Sequence, residues 1–156
     1  MEFQDFDLLY YSEDVSLKEE HNVYKWIIDL LGAAESFHRD PSPGPKLEQY
    51  VKDAGFQNVD VQKYRLPIGP WAKDPHLVRF PEPSIIDSWN ESEKYLTSRQ
   101  KTVGSWNLVQ IEEGLEAFSL RLFTSVLGWS AEDVQVLLAN VRKDIRNPKI
   151  HAQFDL

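Results

Sequence analysis

The clearest pattern of apolar and polar positions runs from Gly104 to Leu156, and it predicts two helices followed by a strand. In its first part apolar residues recur at spacings of three and four, the repeat of a helix with one buried face. They are Leu108, Ile111, Leu115, Phe118, Leu122 and Val126. Gly128 suits the left-handed backbone that closes a helix, and Ser130 can cap the next one.

The second helix of this region carries its own apolar stripe and ends before a proline. The stripe consists of Val134, Leu137, Leu138, Val141 and Ile145. Pro148 cannot continue a helix. The last residues, Lys149–Leu156, then alternate between apolar and polar side chains, which predicts a strand with one apolar face.

The first part of the chain predicts two more strands and two more helices. Met1–Leu9 and Gln57–Arg65 alternate as strands do. Ser16 and Glu19 form a capping box, and the helical stripe that follows predicts a helix over Leu17–Phe37. After a proline-rich linker, Lys46–Ala54 reads as a short helix that ends at a glycine.

Composition excludes several function classes. The 156 residues carry a formal net charge of -8, which argues against a nucleic-acid surface because such surfaces need clustered cations. There is no cysteine, so disulfides, thiolate catalysis and cysteine zinc sites are excluded, and a cytoplasmic location is expected. No apolar run is long enough for a membrane span, and the acidic N-terminus is not a secretory signal.

Four stretches together resemble a known family. They are "EFQDFDLLYYSEDVSLKEEH" (2–21), "KLEQYVKDAGFQNVDVQKYR" (46–65), "LPIGPWAKDPHL" (66–77) and "GLEAFSLRLFTSVLGWSAEDVQVLLANVRKDIRNPKIHAQFDL" (114–156). They resemble the C-terminal half of the fungal class I S-adenosylmethionine-dependent methyltransferases of secondary metabolism, whose relatives include the global regulator of such pathways. The motifs are diagnostic in combination, and none of them is catalytic.

The resemblance implies an α/β chain with a partial Rossmann-like methyltransferase fold. The expected core is a small three-stranded mixed sheet, with strands 1–9, 57–65 and 149–156, the last one in the middle, and about four helices. The family's cofactor half needs a glycine-rich turn after the first strand. The sequence has no G-x-G, so no cofactor-binding residue carries over and no cofactor is expected for this chain.

Residues 78–100 interrupt the resemblance within what is otherwise a single truncated methyltransferase-like domain, 1–156. The segment is polar and shows no helical stripe. Its 23 residues correspond to 69 nucleotides, with codons for Val78 and Gln100 that allow intron boundaries. It is therefore either a translated, unspliced intron or an ordinary surface loop, and a loop this long without structure of its own is uncommon.

The candidate catalytic residues are His21 and Tyr24, which follow the first strand. Ligands of open α/β sheets bind outside the carboxyl ends of strands, and a histidine near carboxylates can act as a general base. The neighbouring carboxylates are Asp5, Asp7, Glu19 and Glu20. The plainer interpretation is a solvated, acidic start of a helix.

Asp7 and three aromatic residues, Trp71, Trp106 and Phe118, are candidates for a substrate pocket. The alternative for the aromatic residues is ordinary packing between helices. His38, His76 and His151 have no metal-ligand spacing, so no metal site is expected.

Three functions follow as hypotheses. The first is a truncated methyltransferase-like protein of fungal secondary metabolism without independent methyl transfer. The second is a cofactor-free cyclase or isomerase that uses the retained pocket for a small-molecule natural product. The third is a regulatory or scaffolding module. In each case the unpaired edge of the first strand predicts self-association or a partner chain, and neither nucleic acid nor membrane is an expected partner.

Overall fold

The computed structural model describes residues 1–37, 40–71 and 89–156, the stretch 89–98 by its backbone only. Within these residues the chain is α/β, with four helices and one sheet of three strands. In chain order the elements are β1 (Asp7–Tyr11), α1 (Asn22–Glu35), α2 (Gly44–Asp53), β2 (Arg65–Pro67), α3 (Trp89–Ser125), α4 (Ala131–Ile145) and β3 (Gln153–Asp155). The predicted class and number of helices are confirmed.

The sheet has the order β1–β3–β2, so the predicted central position of the last strand is confirmed. The prediction of a mixed sheet is wrong, because β3 is antiparallel to both of its neighbours. The predicted strands are also too long. β3 has only three residues, and a neighbour can form ladder hydrogen bonds only where β3 lies opposite. Pairing reaches slightly further where Tyr64 and Leu156 exchange two backbone hydrogen bonds of 2.8 and 2.9 Å.

The apolar face of the sheet carries Tyr10 and Phe154, and it packs on the helices. The Tyr10 ring lies 5.9 Å from the ring of Phe154 and 6.1 Å from that of Trp26 in α1. Trp26 is buried, and its indole N–H donates to the Ser119 hydroxyl in α3 at 2.8 Å. The core continues between α1, α3 and α4 through Val23, Ile27, Leu115, Phe123, Val134, Leu138 and Val141.

Helix α1 begins later than the capping box predicts. Ser16 caps nothing: its hydroxyl accepts the backbone N–H of His151 at 2.9 Å. The helix starts at Asn22, and the carboxylate of Asp144 in α4 accepts the backbone N–H groups of Asn22 (2.6 Å) and Val23 (3.2 Å). A cap from a residue so distant in the sequence has no local pattern, so the capping-box prediction was wrong here.

Helix α3 starts much earlier than predicted and passes through Gly104. The Cβ of a side chain at Gly104 would lie 2.1 Å from the Gly69 carbonyl oxygen, and the Gly104 carbonyl accepts the Gly69 N–H at 2.8 Å. Only glycine allows this contact between α3 and the chain leaving β2. No helix in the described ranges has both the length and the apolar character needed to cross a membrane.

The predicted insertion, 78–100, lies only partly in the described structure. Residues 78–88 are outside it, whereas the backbone of 89–100 forms the beginning of α3. Residues 89–100 are therefore helical and not a loop, although their sequence shows no helical stripe. The stretch is rich in good helix formers, and it continues without a break into the amphipathic part of α3.

The outer edge of β1 is partly covered. The Ser42 hydroxyl accepts the N–H of Leu8 at 2.9 Å, and the N–H of Gly44 donates to the Phe6 carbonyl at 3.1 Å. Helix α2, which follows, buries none of its side chains fully. The expected edge therefore exists, but the segment before α2 occupies its first part.

Candidate functional site

The two catalytic candidates lie at the start of α1, beyond the carboxyl end of β1. His21 is the residue before the helix, and its Nδ1 accepts the backbone N–H of Lys18 at 2.9 Å. In the neutral ring the proton must then sit on Nε2, so neither nitrogen has a free lone pair for general-base chemistry. Tyr24 is half-buried and packs against the apolar core.

His151, which the sequence placed in no site, is held tightly at the same end of the sheet. Its Nδ1 lies 2.6 Å from a carboxylate oxygen of Asp14, and its Nε2 lies 3.2 Å from the Pro148 carbonyl oxygen. Both nitrogens therefore face acceptors. Burial alone would raise the pKa of Asp14, but hydrogen bonds from Ser16 and His151 outweigh burial and lower it. These contacts join the segment after β1 to the start of β3.

Trp71 completes this cluster. Its ring stacks on His151 at 4.8 Å with 21° between the planes, and its indole N–H donates to the Ile68 carbonyl at 2.9 Å. We call His151, Asp14, Ser16 and Trp71 the clasp. Each polar group of the clasp has its partner within the clasp or on neighbouring backbone, so the arrangement is structural rather than open for a ligand.

The polar face of the sheet carries a second pair. The Tyr11 hydroxyl donates to a carboxylate oxygen of Asp155 at 2.6 Å. Burial raises the pKa of Tyr11, and the hydrogen bond to Asp155 raises it further. Tyr10, on the apolar face, has its pKa raised by burial. Both phenols therefore stay protonated at neutral pH, so neither is a ready base.

The other aromatic candidates do not join Trp71. Trp106 is 70% exposed and Phe118 is 50% exposed, both on α3. Twelve helical residues separate them, which is about 18 Å along the axis. No ring contact joins either one to Trp71 in the described part of the chain. Trp106 and Phe118 are thus too exposed for the alternative of core packing, and the pocket shared with Trp71 stays a prediction.

Asp7 lies at the opposite end of the sheet from His21 and the clasp. It begins β1, and its carboxylate accepts the Ser42 hydroxyl at 3.1 Å and the Leu9 N–H at 3.3 Å. It is therefore not part of a site with the predicted catalytic pair. It lines a separate cleft at the amino ends of β1 and β2.

The described residues contain no group of histidine and acidic side chains that could hold a metal ion, and His38 and His76 lie outside them. The residues that organise this end of the sheet, Asp14, Asp144 and His151, were missed as a group. Their contacts join positions more than 120 residues apart, so no spacing in the sequence indicates them.

Curated proteins match nearly the whole chain. Methyltransferase pytC of Aspergillus terreus is 34% identical over 155 residues, 99% of this chain and 41% of that protein. Probable methyltransferase tdiE of Emericella nidulans is 27% identical over 154 residues, again 99% and 41%. Secondary metabolism regulator laeA of Monascus pilosus is 30% identical over 131 residues, 83% of this chain and 29% of the regulator.

These matches confirm the resemblance to methyltransferase-like proteins of fungal secondary metabolism. The chain spans about two fifths of the length of the two methyltransferases. No family model matches the chain. No solved structure matches it either.

Proposed function

We propose that this chain, a homologue of fungal methyltransferases of secondary metabolism, supplies the substrate side of such a fold and does not transfer methyl groups on its own. The observation that carries the proposal is the sheet, in which the last strand, β3, lies between β1 and β2 and is antiparallel to both. We infer that the three strands correspond to the last three of the methyltransferase sheet, which the resemblance places in this order.

The turns that follow the strands do not fit S-adenosylmethionine, the cofactor that the resemblance implies for the full-length family. The segment after β1, Ser12–Ser16, contains no glycine. The segment after β2 contains Gly69, but Gly104 of α3 lies directly against its carbonyl group. Neither turn therefore offers free backbone close to a bound cofactor, and we derive no step of methyl transfer through this chain.

The substrate in this proposal is a small-molecule natural product. It would be bound jointly by this chain and by the remaining part of the fold, which the longer relatives contain. The cyclase or isomerase hypothesis needs a free acid–base pair. His21 and Tyr24 do not form one, since the His21 Nδ1 is engaged by Lys18 and Tyr24 packs against the core. No observation favours that hypothesis.

Association through β1 is a second candidate, and the exposed edge supports it. Leu9 of this strand is 42% exposed, and within the described residues β1 pairs with a strand on one side only, β3. A pairing chain would have to displace the Ser42–Gly44 segment, which makes three hydrogen bonds to β1 and to Phe6 just before it. Such a partner could be a second copy or the remainder of a methyltransferase fold.

Calorimetric titration of the folded chain with S-adenosylmethionine tests the main proposal. We expect no saturable binding at concentrations up to about 1 mM, where an ordinary cofactor site is filled. Full-length methyltransferase pytC is the matched control, because it shares this region and has the rest of its own fold. Saturable binding of the cofactor to the isolated chain in the micromolar range would overturn the proposal.

A further inference from the structure

The amino ends of β1 and β2 border a cleft of about 680 Å³, remote from His21 and the clasp. Its walls are the segment before β1, helix α2 and the segment 56–64 that leads into β2. Ligand sites in proteins have volumes of roughly 300–1,000 Å³, so the cleft is large enough for a small organic molecule.

The walls of the cleft are apolar and partly aromatic. The apolar lining residues include Phe3, Leu47, Val51, Phe56, Val61 and Tyr64. The rings of Phe3 and Phe56 meet edge to face at 5.9 Å, yet these side chains remain 46% and 44% exposed. Because α2 buries no side chain fully, its apolar residues are available to the cleft rather than committed to the core. A flat apolar ligand would remove this surface from water.

The polar part of the lining is strongly acidic. The acidic side chains are Glu2, Asp5, Asp7, Glu48, Asp60 and Asp155, against one basic side chain, Lys63. Asp5, Asp7 and Asp60 accept hydrogen bonds from neutral donors and form no ion pair in the described part of the chain. Two cationic groups, the Lys63 side chain and the Met1 amino group, also line the cleft, so negative charge is in excess beside the apolar wall. Such an excess favours a cation over a neutral or anionic group.

We propose that this cleft binds a small organic cation with a flat apolar body and a protonated amine. The apolar body would contact Phe56 and the α2 side of the cleft, and the ammonium group would lie among the carboxylates. A metal ion fits less well, since the acidic side chains form no converging cluster of ligands. The proposal is independent of methyl transfer and of the β1 edge.

Three probes of nearly equal size separate charge from apolar contact: 2-phenylethylamine, 2-phenylethanol and 3-phenylpropionate. Each is titrated into the isotope-labelled chain and followed by chemical shifts. For probes this small we expect dissociation constants on the order of 1 mM. The amine should bind about tenfold more tightly than the alcohol, and the carboxylate most weakly. The shifts should concentrate in the lining segments 1–7, 44–64 and 155–156 and be absent from α4.

Two variants locate the site. Replacing Asp5→Asn and Asp60→Asn together should weaken binding of the amine about tenfold and leave binding of the alcohol unchanged. Glu113→Gln, an exposed carboxylate on α3 outside the cleft, is the matched control and should change neither. Val61→Trp should fill the cleft and weaken all three probes. Thermal melting checks that each variant is folded.

Any one of three results would overturn the proposal. Equal affinity for the amine and the alcohol would remove the role of charge. If the double variant bound the amine as the Glu113→Gln control does, or if the shifts lay outside the lining segments 1–7, 44–64 and 155–156, the contact would be an adventitious one and not this cleft.

Discussion

The two ends of the sheet differ in how their polar groups are used. At the carboxyl ends of β1 and β2, the polar groups of His151, Asp14 and Asp144 are engaged with one another or with backbone N–H and carbonyl groups. At the amino ends, the carboxylates of Asp5 and Asp60 accept only from neutral donors beside an open apolar cleft. At the carboxyl ends these side chains are engaged in hydrogen bonds within the protein. At the amino ends, carboxylates without an ion pair lie beside exposed apolar surface.

This difference shows that position in the fold does not by itself identify a ligand site. Ligands of open α/β sheets usually bind at the carboxyl ends of strands, and by that rule His21 and Tyr24 are the candidates. In the described residues, however, Asp14, Asp144 and His151 at that end already have partners, and the exception there is the buried Nε2 of Gln153, which has no hydrogen-bond partner. Unused charge next to exposed aromatic surface is the better indicator of binding in this chain.

The largest expected effect contrasts two glycines, one at each end of the sheet. Gly104→Ala would place a Cβ 2.1 Å from the Gly69 carbonyl oxygen, between α3 and the chain leaving β2. Gly44→Ala would place one 2.7 Å from the Phe6 carbonyl group. Both contacts are with backbone, but α2 buries no side chain and can move away. We expect Gly104→Ala to lower the free energy of unfolding by about 2–3 kcal/mol and Gly44→Ala by less than about 1 kcal/mol.

Denaturant unfolding measures both changes, with Gly32→Ala as the matched control. Gly32 lies inside α1 with no atom near its missing Cβ, so alanine there should stabilise the protein by about 0.5–1 kcal/mol. If Gly44→Ala cost as much as Gly104→Ala, the amino end would be as firmly packed as the carboxyl end, and the contrast between them would fail.

The sequence predicted the elements better than it predicted their ends. Helix α4 begins with a local cap, where the Ser130 hydroxyl accepts the Asp133 N–H, and this cap was predicted correctly. Helix α1 begins at a cap supplied by Asp144 of another helix, and its start was wrong by several residues. The predicted strand ends were wrong because they too depend on residues distant in the sequence. The length of β3 decides where β1 and β2 can pair with it.

The candidate site was less predictable than the fold. The type and spacing of the aromatic residues Trp106 and Phe118 on α3 predict a pocket or core packing, yet Trp106 is largely exposed. Asp7 does line a cleft, but at the end of the sheet opposite the one that motivated its selection. Which end of a strand lies near which loop depends on tertiary contacts, and a one-dimensional pattern does not contain them.

The next largest effect tests the closure of the carboxyl end by Asp144. Asp144→Ala removes the acceptor for two backbone N–H groups and for the side-chain amide of Asn22. We expect the free energy of unfolding to fall by about 1–2 kcal/mol, as for loss of a helix cap. Asp144→Asn keeps an acceptor oxygen and should lose less.

Ser130→Ala is the matched comparison for Asp144→Ala, because it removes a cap made within a single helix. We expect its cost to be about 1 kcal/mol, and to be smaller than that of Asp144→Ala because Asp144 also joins α4 to α1. Chemical denaturation of both variants ranks the two caps. A cost for Asp144→Ala below that of Ser130→Ala would mean that the contact between the helices adds nothing.

The smallest effect is the pH dependence of the clasp. Burial opposes ionisation of Asp14, but the hydrogen bonds from Ser16 and His151 prevail, so its folded-state pKa lies below the ordinary value of 3.8. A lowered pKa stabilises the folded state above the unfolded-state pKa, and this contribution disappears as pH falls through the folded-state pKa. The stability advantage of the unmodified chain over Asp14→Asn should therefore be constant near neutral pH and shrink below about pH 4. Because the Asp14 side chain is 48% exposed, we expect this stability advantage to be at most about 1 kcal/mol.

Trp71→Phe provides the control, since it keeps a ring against His151 and loses the hydrogen bond to Ile68 at every pH. Its stability deficit relative to the unmodified chain should not change between pH 6 and pH 3. An advantage over Asp14→Asn that grew as the pH fell would contradict the assigned direction of the pKa shift, because it would mean that burial outweighs the hydrogen bonds to Asp14.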